Sequence, residues 1–185
     1  KKLKINSYCL LRLGVEKNKN QSFLCLLAAI LPYYKTRVNE RGEMLSSKLE
    51  SLSNFKRFFI EELTIEKFLQ AQNGILLQVF KDENRIVNIK KYEKNNEVIK
   101  SLASINLKTS IIQSYENFIE YFNDPDQLID YTYIWDFVCR PKSECGLLFE
   151  DGINLLIFSN PNDDITNKIQ LICPTNHYSD NFYDE

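Results

Sequence analysis

The chain has 185 residues, of which 44% are hydrophobic and 26% charged, and its formal net charge is −2 at pH 7. This length suits one domain with a sizeable core, and the near-neutral balance argues against binding to nucleic acid or an anionic membrane through overall charge. No apolar run approaches the roughly 18 residues that a membrane-spanning helix needs.

The five cysteines are odd in number and irregularly spaced, which argues against a disulfide scaffold and predicts a reducing, intracellular compartment. The chain starts at Lys1 without a Met, and no signal-peptide pattern follows. We therefore expect residues 1–185 to be a single domain that belongs to a longer polypeptide.

The first strong element is a buried helix, predicted from Ser22 to about Leu31. Its residues are apolar on nearly every face, which is typical of a helix in the middle of a domain. Pro32 is expected to kink or end it. A second helix is predicted over Arg41–Leu52 from leucines at helical spacing.

Further helices follow in the middle of the chain. Thr64 is predicted to cap a helix that runs through Ile65–Val79, with Gly74 as its weak point. Residues 86–99 stay unassigned. One or two helices are expected over Ser101–Phe122, where apolar residues recur on one face. A stop is expected at residues 123–125, and Leu128–Cys139, which contains Trp135, is expected to be helical.

The chain then changes character. Gly152–Ser159 and Lys168–Pro174 are short, aliphatic segments separated by a turn cluster, and they predict two strands. Helices first and strands last indicate an α+β fold, with several helices around the central one and a small sheet built mainly by the C-terminal strands.

A nucleophile site can be assembled from the two ends of this fold. A helix start favours an anionic nucleophile, an imidazole takes its proton, and a third polar group orients the imidazole. The first helix offers Ser22 at its start and Cys25 one turn further in. The imidazole can only be His177, the single histidine. Asp180 is a candidate orienting group, as are Ser179 and a residue near Asn20.

These segments resemble the ovarian-tumour (OTU) deubiquitinases, papain-like cysteine proteases. That family has a polar turn before a nucleophilic Cys, a short Trp-containing helix feeding a strand, and a late His-Tyr with a small polar or acidic residue. The corresponding segments here are Asn20–Leu27 (NQSFLCLL), Tyr131–Phe137 (YTYIWDF), Ile153–Ile157 (INLLI) and His177–Asp180 (HYSD). The resemblance implies an OTU-like fold, a partner such as ubiquitin or a ubiquitin-like modifier, and no cofactor.

Two registers remain open for the nucleophile. With Asn20 and Gln21 as the polar turn, Ser22 occupies the position of the family's Cys, and a serine is a poor nucleophile at a site built for a thiol. In the other register Cys25 is the nucleophile, but an apolar pair precedes it. The first register implies a catalytically degenerate domain that binds or assembles with other proteins. The second implies an active deubiquitinase that uses Cys25 and His177.

The resemblance also assigns binding roles to Asn20, Gln21, Trp135 and Tyr178. Each of the central residues has a structural alternative as well. Cys25 can be a small buried hydrophobe, which is the usual state of a free cysteine. His177 can be a surface-loop residue after the last strand.

A second resemblance concerns short phrases such as Asn20–Phe23 (NQSF) and Cys173–Tyr178 (CPTNHY). They are similar to segments of long, early-transcription-factor-like proteins of large DNA viruses, and the Lys-, Asn- and Ile-rich composition fits AT-rich genomes. This resemblance implies a domain of a large viral polypeptide, located in the host cytoplasm or the virion.

A zinc site is the remaining alternative. Cys139, Cys145, Cys173 and His177 offer three thiolates and an imidazole. Structural zinc sites use Cys pairs two to four residues apart, and the spacing of the first pair here is wider. We therefore predict no metal.

Overall fold

The computed structural model describes residues 18–35, 51–159 and 170–172. Within these ranges the chain is mostly helical and has one small antiparallel sheet, which confirms the coarse α+β class. The elements are α1 (Ser22–Lys35), α2 (Leu52–Glu62), α3 (Ile65–Gln70), the 3₁₀-helix Ala71–Gly74, α4 (Leu76–Val79), α5 (Ile89–Asn95), α6 (Glu97–Ser101), α7 (Ile105–Asn123), α8 (Tyr131–Cys139), β1 (Ile157–Ser159) and β2 (Gln170–Ile172).

Polar side chains start most of these helices. Each accepts a hydrogen bond from a backbone N–H two or three residues later, which satisfies a donor that the helix itself leaves without a partner. The prediction for Thr64 is confirmed, since its hydroxyl oxygen accepts from the Lys67 N–H at 3.3 Å. The other capping residues are Ser51, Asn88, Asn96, Ser104 and Asp130.

Much of the core packs against α7, on the apolar face that its spacing predicted. Phe59 of α2 stacks on Phe122 with ring centroids 4.3 Å apart, and it meets the edge of Phe137 of α8 at 5.7 Å. Phe118 is also 5.7 Å from Phe137, so α2, α7 and α8 share one aromatic centre. The predicted face of α7 is buried apart from Ile119, which is half-buried. No helix within the described ranges has both the length and the apolarity to cross a bilayer.

The first helix is longer than predicted. It continues past Pro32 and ends at Lys35. A proline removes one donor from the helix, but Leu24, Leu27 and Leu31 are fully buried. Burial of this face outweighs the local preference, so the expectation of an end near Leu31 was wrong. Residues 41–50 of the predicted second helix lie outside the described residues, and α2 begins at Leu52.

The predicted helix over residues 65–79 is instead three pieces. Gln72 and Asn73 have positive φ values of 48° and 54°, and Gly74 follows at 80°. The break has a tertiary cause, because the Gln72 N–H donates to Oδ2 of Asp136 at 2.7 Å and its side-chain amide donates to the Thr132 carbonyl. The predicted weak point at Gly74 therefore belongs to a longer left-handed turn.

The two strands pair as an antiparallel hairpin, shorter than the segments that predicted them. Ile157 lies opposite Ile172, Phe158 opposite Leu171 and Ser159 opposite Gln170. The remainder of the second predicted strand lies outside the described residues. A two-stranded sheet matches the coarse prediction, while a papain-like arrangement stays a prediction.

Candidate functional site

Asn18 closes the start of α1, where the sequence predicted a nucleophile. Its side-chain oxygen accepts from the N–H of Asn20 at 3.0 Å and from the N–H of Gln21 at 2.9 Å. Its carbonyl oxygen accepts from the Ser22 hydroxyl. Ser22 is exposed, but its hydroxyl proton is hydrogen-bonded to this carbonyl, four residues earlier in the chain. The turn therefore satisfies its own polar groups.

Gln21 joins this helix start to the connection between α7 and α8. Its side-chain nitrogen lies 2.6 Å from the carbonyl oxygen of Asp124, 3.1 Å from that of Pro125 and 3.4 Å from that of Gln127. The side chain is only 1% exposed. A buried amide with this set of acceptors is a structural joint, because losing the donor would leave the Pro125 and Gln127 carbonyls without a partner among the described residues.

Asn20 adds two bonds to the same connection. Its side-chain nitrogen donates to the Asp126 carbonyl at 2.7 Å, and its own carbonyl accepts from the Ile129 N–H at 3.1 Å. The two residues that were predicted to bind a partner thus contact the backbone of their own chain. We call this set of contacts, Asn18–Gln21 against residues 124–129, the α1 joint.

Cys25 lies one turn inside α1 and is buried. Its backbone N–H donates to the Gln21 carbonyl at 3.0 Å, as in an ordinary helix. A charge on Cys25 would raise the pKa of Lys56 of α2, so the two groups lie close to each other. The structure therefore places a cation near this thiol, a feature that helps to stabilise thiolates at reactive cysteines.

Lys56 itself is buried beside the end of α7. Its ammonium nitrogen is 3.3 Å from the carbonyl oxygen of Asn123 and 3.4 Å from that of Asp124, where the negative end of the helix dipole favours a cation. Burial lowers the pKa of Lys56, while Asp124 and Cys25 act in the opposite direction. An open cavity of about 470 Å³ lies at this position and is lined by Ser53, Lys56, Arg57, Ile60, Glu61 and Asn123.

Trp135 is connected to the same helix start through aromatic rings. Its ring is 5.5 Å from Tyr131, and Tyr131 is 5.8 Å from Phe23 of α1. The indole is buried, and its N–H has no hydrogen-bond acceptor within the described residues. Of the predicted site residues, the structure thus groups Asn20, Gln21 and Ser22 with Trp135 on one side of the molecule.

His177, Tyr178 and Asp180 lie outside the described residues, as does Ser179. The pairing of an imidazole with Ser22 or Cys25 therefore stays a prediction.

Two cysteines of the zinc alternative, Cys139 and Cys145, are buried thiols. Burial, followed by the Asp136 charge, raises the pKa of Cys139 to about 12 and that of Cys145 to about 11. No three metal-ligating side chains converge in the part of the chain that the structure describes. Cys173 and His177, the other two predicted ligands, lie outside it.

Sequence reasoning missed two residues of this region. Asn18 precedes the helix start by several residues, and its role depends on a local turn that the polar run 16–20 does not reveal. Lys56 carried a clearer signal, because it stands beside Phe55 and one turn from Phe59 on the apolar face of α2. A lysine among buried aromatic residues predicts a specific hydrogen-bond acceptor for its ammonium group, because burial of an unpaired charge is costly.

Comparison of the chain with protein-family models, with curated proteins and with solved structures gave no match.

Proposed function

We propose that this domain is a catalytically inactive, OTU-like module that binds or assembles with other proteins. The observation that carries the proposal is the engagement of the Ser22 hydroxyl and of the neighbouring N–H groups by Asn18. This hydroxyl already donates to a backbone carbonyl, and the family that the sequence resembles has a thiol at this position. Such a hydroxyl is a poor nucleophile.

The donors around Ser22 support the same conclusion. Acyl-transfer enzymes stabilise a developing oxyanion with N–H groups that point at the reacting atom. The N–H groups of Asn20 and Gln21 are already bonded to the Asn18 side chain, and the amide of Gln21 is bonded to the α7–α8 connection. The polar groups at this helix start therefore stabilise the fold.

The second candidate is an active deubiquitinase that uses Cys25 and His177. One observation favours it, the proximity of the Lys56 ammonium to Cys25, because a nearby cation promotes the thiolate. The burial of Cys25 opposes it, since a substrate carbonyl must reach the sulfur.

A ubiquitin that carries an electrophile at its C-terminus separates the two candidates. We expect no covalent adduct with the wild-type chain, measured by intact mass. An adduct that disappears in both Cys25→Ala and His177→Ala, while a Cys139→Ser variant keeps it, would establish the active enzyme and end the proposal.

The variant Ser22→Cys tests the register of the degenerate site. If Ser22 stands at a former nucleophile position, the new thiol gains an adduct that His177→Ala removes. Reaction of Ser22→Cys that does not depend on His177 would show that this helix start and the imidazole do not form a site.

A further inference from the structure

Three aromatic rings form a cluster at the surface between α4, α7 and α8. The ring of Phe80 lies 5.2 Å from Tyr121 and 5.4 Å from Tyr133, and the two tyrosines are 6.0 Å apart. All three side chains are half-buried, so part of each ring faces solvent. Such a cluster offers a rigid apolar area with polar groups at its edge.

The Tyr121 hydroxyl attaches the α7–α8 connection to this cluster. It donates to the Leu128 carbonyl at 3.0 Å and accepts from the Asp130 N–H at 2.7 Å. The Leu128 backbone is held beside Tyr121 in this way, and the residue is 65% exposed.

Two further apolar side chains lie next to Phe80 along the chain. Ile75 is 57% exposed and Val79 is 43% exposed. The Val79 N–H donates to the Ile75 carbonyl at 3.2 Å, so the two side chains lie one helical turn apart on the same face. We call the three rings, together with the exposed Ile75 and Val79 that precede Phe80 in the chain and Leu128 beside Tyr121, the apolar surface; it comprises Ile75, Val79, Phe80, Tyr121, Leu128 and Tyr133.

The α7 and α8 part of this surface carries charge of one sign, and Lys81, which follows Phe80 in the chain, is paired with Glu83. Residues 109–139 contain no Lys or Arg and six acidic residues. Three of the six are paired within the described residues, Glu116 and Glu120 with Arg85 and Asp136 with Arg140. The other three all lie in the α7–α8 connection and are Asp124, Asp126 and Asp130.

Two of these aspartates flank the exposed leucine. Asp126 and Asp130 lie two residues on either side of Leu128, are exposed, and form no ion pair with a residue that the structure describes. Asp130 also caps α8, which fixes its position. An exposed apolar area with an acidic edge of this kind is typical of a protein-binding surface.

We propose that the apolar surface binds a basic amphipathic helix of a partner protein. Apolar side chains at helical spacing would cover Leu128, Val79 and the aromatic rings, and Lys or Arg side chains would approach Asp126 and Asp130. The acidic edge repels nucleic acid and anionic lipid, which argues against those partners. This inference rests on the proposed function and names the face that performs it.

A displayed library of four-turn helical peptides tests the proposal. Apolar residues are fixed along one face of each peptide, and the other positions vary between Lys, Glu and Ser. We expect selection on the intact chain to enrich Lys over Glu. A selected peptide should bind the double variant Val79→Ser, Leu128→Ser about tenfold or more weakly, and should bind the control Ile86→Ser unchanged, because Ile86 is 97% exposed outside this surface.

The charge is tested with a second pair of variants. Asp126→Lys should weaken the selected peptide by about fivefold or more and should reduce the salt dependence of binding. Glu61→Lys, a matched change on the exposed side of α2, should have no effect.

Three results would overturn the inference. They are enrichment of Glu or of neutral residues, binding that Val79→Ser, Leu128→Ser does not weaken, and a selection that yields no peptide. A fourth result would also overturn it: a lower urea midpoint in the double variant than in Ile86→Ser, because it would show that the surface is covered within the chain. Each of these leaves the ubiquitin experiment to decide the proposed function separately.

Discussion

The connection between α7 and α8 has two sides with opposite chemistry. On the inner side, the backbone carbonyls of residues 124–127 accept hydrogen bonds from Asn20 and Gln21, and Gln21 is nearly inaccessible. On the outer side, Leu128 is exposed beside three aromatic rings, and Asp126 and Asp130 face solvent.

The difference separates stability from recognition. The polar groups of the α1 joint have partners, so this region contributes to the fold although the sequence marked it as a site. The apolar surface has side chains that gain nothing from their present exposure. Substitutions on the inner side should therefore change the free energy of unfolding, while those of the exposed Val79, Leu128 and Asp126 on the outer side should change binding alone.

The largest effect is expected for Gln21→Leu. The change preserves size but removes a buried donor that three carbonyls share, of which only that of Asp124 has a second donor in Lys56, and it should lower the free energy of unfolding by about 3 kcal/mol. The matched control is Gln127→Leu, whose side chain makes one long bond at 3.4 Å near the surface; it should change stability by less than about 0.5 kcal/mol. Equal losses in urea unfolding would contradict the assignment of the joint.

Lys56→Met should lower the free energy of unfolding by about 1–2 kcal/mol at pH 7, because the Asn123 carbonyl loses its donor and the Asp124 carbonyl keeps only Gln21. Since burial lowers the pKa of Lys56, the unfolded chain holds more protons than the folded chain just below pH 10.5, and this group makes the folded wild type more stable as the pH rises there. The stability difference between wild type and variant should therefore widen from pH 7 to pH 10. A difference that shrinks over this range in urea titrations would disprove the lowered pKa.

Tyr121→Phe should have a smaller effect, about 1 kcal/mol, since it removes the hydroxyl that bonds Leu128 and Asp130 and keeps the ring. Hydrogen exchange of the Asp130 amide should accelerate more than that of the Gln21 amide. Tyr133→Phe is the control because no hydrogen bond of its hydroxyl is found within the described residues, and it should leave both amides unchanged.

The smallest effect is expected for Val79→Ser combined with Leu128→Ser. Exposed side chains contribute little to folding, so the double variant should unfold within about 0.5 kcal/mol of Ile86→Ser. Thermal unfolding and circular dichroism provide the measurement. A clear destabilisation of the double variant alone would show that Val79 and Leu128 contribute to the fold, as Gln21 does.

Local signals were enough to predict much of the helical framework. The Thr64 cap, the stop at residues 123–125 and the apolar face of α7 all depend on neighbours within a few positions. The break at Gln72 was not predictable in this way, because its acceptor on Asp136 lies 64 residues later in the chain. Two short, aliphatic segments sufficed to predict two strands, but their antiparallel pairing and its register required the structure.

The residues of the candidate site also divide into those that a local pattern predicts and those that depend on distant parts of the chain. The helix start at Ser22 followed from composition, whereas the engagement of Asn20 and Gln21 by residues 124–129 could not be read from a local pattern. The apolar surface was also hidden, because Phe80, Tyr121 and Tyr133 come from three separate helical regions. The pairing with His177 lies outside the described residues and stays a prediction.

The length of chain between the two halves of the α1 joint has a consequence for folding. Gln21 and its acceptors are separated by 103 to 106 residues, so closing this contact requires the long intervening segment to be ordered or bent back first. During synthesis the first helix leaves the ribosome early but has no acceptors until residues 124–127 have followed. We therefore expect α1 to dock late, onto a nucleus formed by the aromatic residues of α2, α7 and α8, and to be among the first elements to detach when the protein unfolds.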